Sequence, residues 1–100
     1  MTPKEISKRI QSEINGDWSI SNAHGCDLKK CLVRPKRRNL HHNGKIKEFW
    51  IVLEEAPETL EGFKVFFDEE SRKFGLAGYS EPIGYVCNSH DTFLDAFSSM

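Results

Sequence analysis

Apolar positions along the chain follow two rhythms, a helical one at either end and an alternating one between. Ile6, Ile10 and Ile14 recur every four residues and make a narrow stripe on a helix over residues 2–15. Thr2 and Glu5 form a T-x-x-E capping box, with Pro3 at the first helical position. Asn15-Gly16 supplies the stop, because both residues tolerate the left-handed backbone that ends helices. Near the other end, Phe93, Leu94, Phe97 and Met100 fall on one helix face. Asn88 or Ser89 is its expected cap, and Asp91 suits its positively polarised first turn.

The middle of the chain reads as strands. Residues 45–55 make the strongest, rich in aromatic and β-branched side chains. Its centre, Phe49 to Leu53, is apolar on both faces, which predicts a central strand covered on one side by helices. Asn43-Gly44 is a hairpin turn, pairing that strand with one over residues 30–40. Pro35 cannot donate to a ladder, so the earlier strand is expected at an edge or broken. After the break at Ala56-Pro57 and a connection over residues 58–62, strands follow at 63–68 and 74–78. Glu69-Glu70-Ser71-Arg72 is the turn between them, and residues 83–87 add a short strand. Trp18 and Ile20 alternate with polar residues as a short edge strand would.

These elements predict one α+β domain over residues 1–100: two layers, an antiparallel sheet of four to five strands, and the N- and C-terminal helices on one face. The expected core is Ile6, Ile10, Ile14, Trp50, Val52, Val65, Phe67, Leu76, Phe93 and Phe97.

Composition supports a folded chain, with 38% hydrophobic and 29% charged residues. No apolar run approaches the ~20 residues of a membrane helix, and the charged start MTPKEISKRI lacks the apolar core of a secretion signal. A cytoplasmic location with reduced thiols is the matching expectation for three cysteines.

Net charge is −1, yet the charges are segregated. Residues 28–47 carry eight Lys or Arg and no carboxylate, whereas residues 48–100 carry three Lys or Arg against eleven Asp or Glu. Within the basic run, Lys36, Arg37 and Arg38 are candidate phosphate contacts, since Lys and Arg displace counterions from nucleic acid. The run contains no aromatic residue for stacking, and a solvated edge that blocks aggregation explains it equally. In the acidic half, Glu54, Glu55, Glu69 and Glu70 flank strand ends and are candidates for contacting a basic protein partner. Glu58, Glu61, Asp68 and Glu81 share that surroundings.

Cys26, Cys31 and Cys87, with His24, His41 and His42, invite a zinc reading, and His24, Cys26, Cys31 and one of His41 or His42 make the conceivable site. The C-x4-C spacing and the lack of a second close pair argue against a metal. Cys31, among basic neighbours, is the candidate reactive thiol, and Cys87 is expected to be buried as a small hydrophobe. Gly75 and Gly78 lack the Lys and the helix of a phosphate loop. No catalytic residue, cofactor or metal is assigned.

The run from Trp50 to Glu55, then Gly62 to Glu70, then Phe74 to Ala77 resembles a group of small bacterial proteins of unassigned function. Its pattern is W-x-V-L-E-E, D-E-E and F-G-L-A. In size and class these are similar to immunity proteins of bacterial toxin systems, which bind and neutralise a cognate toxin. The resemblance implies a bacterial cytoplasmic protein with no established enzymatic site. The expected function is a non-enzymatic, intracellular protein-interaction module, and the basic run gives nucleic-acid binding through residues 29–47 as the alternative. A homodimer through an exposed strand near residues 30–40 is a further expected assembly.

Overall fold

The computed structural model describes residues 1–56, 62–78 and 83–100. The expected break at Pro57, most of the 58–62 connection, and Glu58, Glu61, Glu81 and Pro82 lie outside these residues. The chain runs α1 (Pro3–Ile14), α2 (Leu28–Cys31), β1 (Leu32–His42), β2 (Lys45–Glu54), β3 (Lys64–Asp68), β4 (Lys73–Gly78), β5 (Gly84–His90) and α3 (Phe93–Ser98).

Helix α1 forms as its sequence dictates. The Thr2 hydroxyl accepts the Glu5 N–H, the Glu5 carboxylate accepts the Thr2 N–H, and Asn15 closes the helix at φ 50°. The backbone N–H and hydroxyl of Thr2 also hold the Glu5 carboxyl below its usual range. Helix α3 starts later than expected. β5 extends to His90, so Asn88 and Ser89 pair with β4, and Thr92 is the cap instead. Asp95 rather than Asp91 occupies the first turn. Trp18 and Ile20 lie in a turn segment outside any strand, and the four-residue α2, capped by Asp27, had no counterpart in the expected elements.

The expected open sheet is instead a closed barrel in the order β1-β2-β3-β4-β5. Successive strands pair antiparallel, and a meander of five strands leaves β1 and β5 pointing the same way. Their seam is accordingly parallel, Leu40 opposite Gly84 and His41 opposite Tyr85. Curvature comes from breaks in register. They fall between Leu32 and Lys36 in β1, Ile51 and Leu53 in β2, and Val86 and Asn88 in β5. Each bulge bends its strand and increases local twist until β5 meets β1. The first lies at Pro35, where the missing N–H breaks the ladder as expected. Because the seam occupies the free side of β1 at Leu40 and His41, that part of β1 is not an edge.

Alternation in the strands divides the apolar side chains between two cores. Trp50, Val52, Val65, Phe67, Phe74 and Leu76 face outward and pack with Ile6, Ile10 and Ile14 of α1 and Phe93 and Phe97 of α3. All ten expected core residues belong to this cluster. Inside the barrel, Leu40, Phe49, Ile51, Phe66 and Ala77 make a second cluster that the sequence reading had not separated. The lumen is full. A Cβ on Gly75 would collide with the Phe66 ring and the Asn88 carbonyl, so β4 admits only glycine there.

Candidate functional site

Strand pairing undoes the charge segregation of the linear chain. Arg37 stands opposite Trp50, stacks its guanidinium 4.5 Å above that ring and donates to Glu48 at 2.7 Å. The bond to Glu48 pushes Arg37 above its ordinary value. Lys36 turns inward and donates to Glu54 at 2.6 Å, while Lys64 approaches the same carboxylate at 3.4 Å. The register break after Ile51 turns Glu54 toward the inside of the barrel, where it is 2% exposed. Lys47 pairs with Asp68 at 3.0 Å and with Glu70 at 3.3 Å.

The four candidate carboxylates do not share one surface. Glu54 is enclosed by its two lysines. Glu55 lies 2.5 Å from His24 Nδ1 and accepts the Phe63 N–H at 2.9 Å. Burial raises its carboxyl, and these two donors outweigh burial and hold it below the usual range. Glu69 accepts from the N-terminal ammonium of Met1, which lowers its pKa. Glu70 is exposed, beside Lys47. Of the candidate cations, Lys36 and Arg37 are engaged as above, and exposed Arg38 donates to the Arg37 carbonyl at 2.8 Å.

His24, Cys26 and Cys31 converge near Glu55. The Cys31 thiol donates to the Glu55 carbonyl at 3.7 Å, and Cys26 Sγ lies 3.4 Å from Met100 Sδ. His41 and His42 sit at the far end of β1. Among the described residues no group of three or more His, Cys, Asp or Glu is placed to hold a metal ion. Cys26 and Cys31 are buried, whereas Cys87, expected in the core, is exposed at the register break of β5.

An exposed apolar and aromatic row on the barrel wall was not anticipated. His41 is opposite Ile46 on one side and Tyr85 on the other, so the three form a row across β2, β1 and β5. Ile46 is 56% and Tyr85 45% exposed, and His41 is open to solvent. Ile46 shares its side of β2 with Trp50, but lies beyond the part packed against the helices. The Tyr85 ring lies where a Cβ on Gly78 would fall, so the missing side chain seats the aromatic ring. Ile46 sits between Lys45 and Lys47, which marks it as an apolar residue in polar company but does not reveal its neighbours.

The barrel end near His42 has a shallow hollow of ≈ 250 Å³ floored by Phe49 and Phe66. Its carboxylate, Asp68, is already committed to Lys47, the Ser71 hydroxyl and the Glu70 N–H. Among the described residues, no helix is long and apolar enough to cross a membrane.

Comparison with known proteins found no matching family model and no significant match among curated proteins or solved structures.

Proposed function

We propose that this chain is a non-enzymatic protein-binding module, and that it contacts its partner through the outer face of β2, β1 and β5. The observation that carries this reading is the Ile46–His41–Tyr85 row. Exposed apolar and aromatic side chains held side by side on neighbouring strands supply the anchors of an interface core. Arg37 and Glu48, already paired, and Asn39 form a polar rim beside it. Neutralisation of a toxin by such contact, as an immunity protein does, is the specific form we favour.

Lys36 and Arg37 each already meet a carboxylate, which weakens a phosphate-binding role for this stretch. The test is capture from the source cells at low and high salt, using wild type and an Ile46→Ser/Tyr85→Ser variant. The expected result is one stoichiometric protein that persists at high salt and is lost in the variant, with circular dichroism unchanged. A partner retained in full by the variant would sink this reading. Nuclease-sensitive nucleic acid that elutes with salt would replace it.

A further inference from the structure

Trp18 stands apart from the row on the barrel wall. It is 37% exposed and lies at a cleft of ≈ 390 Å³ between α1, the segment after it, α2 and the start of β1. That volume falls within the ~300–1,000 Å³ of small-molecule sites. Leu28, Leu32 and Val33 give the cleft apolar walls, and Lys29 and Arg34 bring two cations to it.

Neither cation forms an ion pair with a carboxylate of the described residues. The nearest acidic side chains in sequence are occupied by local turns. Asp27 accepts the Lys29 N–H at 3.0 Å, and Asp17 accepts the Ser19 N–H at 3.2 Å and its hydroxyl at 2.5 Å. The register break at Pro35 is what delivers the wall. Between Leu32, opposite Leu53, and Lys36, opposite Ile51, β1 carries more residues than β2, and Val33 and Arg34 belong to that excess. Bulges of this kind re-aim side chains and are over-represented at barrel rims and next to active sites.

We infer that this cleft binds a nucleotide, its base stacked on Trp18 and its phosphate held by Lys29 and Arg34. An apolar ligand would leave the two cations unanswered. A simple inorganic anion would make no use of the indole or the apolar walls. A planar ring carrying a phosphate uses both, because every base has a face that stacks on an aromatic side chain. Such a group belongs equally to a free mononucleotide and to one residue of a single strand.

The test is calorimetric titration of the full chain with nucleoside monophosphates, a nucleoside, inorganic phosphate and a short single-stranded oligonucleotide. Tryptophan fluorescence is followed in parallel. Trp50 is buried beneath Arg37, so quenching reports on Trp18. The monophosphate is expected to bind about tenfold or more tighter than the nucleoside or phosphate alone and to quench the fluorescence. Trp18→Ala and Arg34→Gln should each weaken it by about tenfold with circular dichroism unchanged, since both side chains are exposed. Equal affinity for monophosphate and oligonucleotide identifies a free nucleotide, and affinity that rises with strand length identifies a single strand; either supports the site. Absence of heat and quenching with every probe overturns it. So does phosphate binding as tightly as the nucleotide, or binding that both variants leave unchanged.

Discussion

Lys36 donates to Glu54 at 2.6 Å across one end of the barrel, joining the basic and acidic segments inside the fold. Lys64, 3.4 Å from the same carboxylate, completes a cluster around a residue that is 2% exposed. Removing one member of a buried pair leaves a charge without compensation, which costs ~3–5 kcal/mol when the pair is wholly enclosed. Lys36 keeps 33% of its side chain in solvent, so Glu54→Ala should cost less, about 2–3 kcal/mol. Urea unfolding measures this as a lowered midpoint with unchanged slope. A midpoint equal to wild type would show that the cluster contributes nothing.

Asp68 gives the fold a defined acid limit. Burial raises its carboxyl, but Lys47, the Ser71 hydroxyl and the Glu70 N–H outweigh burial and bring it below its ordinary value of 3.8. A carboxyl depressed in the folded state contributes stability that is fully present above its unfolded pKa. That stability is lost as pH falls through the lower folded value. Wild type should therefore lose stability on acidification below about pH 4. Asp68→Asn should start less stable at neutral pH and lose less over the same acid range. Thermal melts across that range test this, and parallel curves for the two proteins would refute it.

The thiols should separate by exposure. Cys87 is open at the register break of β5, whereas Cys26 and Cys31 lie in the helix-packed core. Partial burial pushes the Cys87 thiol up, against a weaker opposing effect of the Gly78 N–H, so its reaction at neutral pH should be slow but complete. Cys26 is also pushed up by burial. A colourimetric thiol reagent should count one cysteine in the native protein and all three in denaturant. Early labelling of Cys31 would contradict the packing.

Local signals in the sequence correspond closely to the elements they govern. Thr2, Pro3 and Glu5 define the start of α1, and Asn43-Gly44 sets the hairpin that pairs His42 with Lys45. The outward core was readable because Trp50 and Val52, and Val65 and Phe67, stand two residues apart and so share a face of their strands. Closure was not, because it rests on contacts between strands far apart in the chain and on bulges whose positions only Pro35 announces. In β5, Tyr85, Cys87 and Ser89 are exposed between partly buried neighbours, a pattern that does not say which strand it pairs with. The inner cluster was hidden by the same continuous apolar run that identified β2. Phe49 and Ile51 look like neighbours of Trp50 in sequence but occupy the opposite side of the wall. The candidate glutamates failed to form one surface because burial depends on partners. Nothing local to Glu54 reveals that Lys36 and Lys64 will meet it.

The parallel seam also has a consequence for the order in which the molecule opens. β1–β2 and β3–β4 each close through a short turn, whereas the Leu40–Gly84 contact encloses nearly half the chain. Closing a loop costs more entropy as it lengthens, and only two residue pairs define this seam. The barrel should therefore breathe at β1–β5 while β2, β3 and β4 stay zipped, as a cooperative unit of higher local stability. Hydrogen exchange resolves the two. Whichever of the His41 and Tyr85 amides donates across the seam should exchange sooner than those at Phe66 and Gly75, and equal protection would mean that the cylinder opens only as a whole.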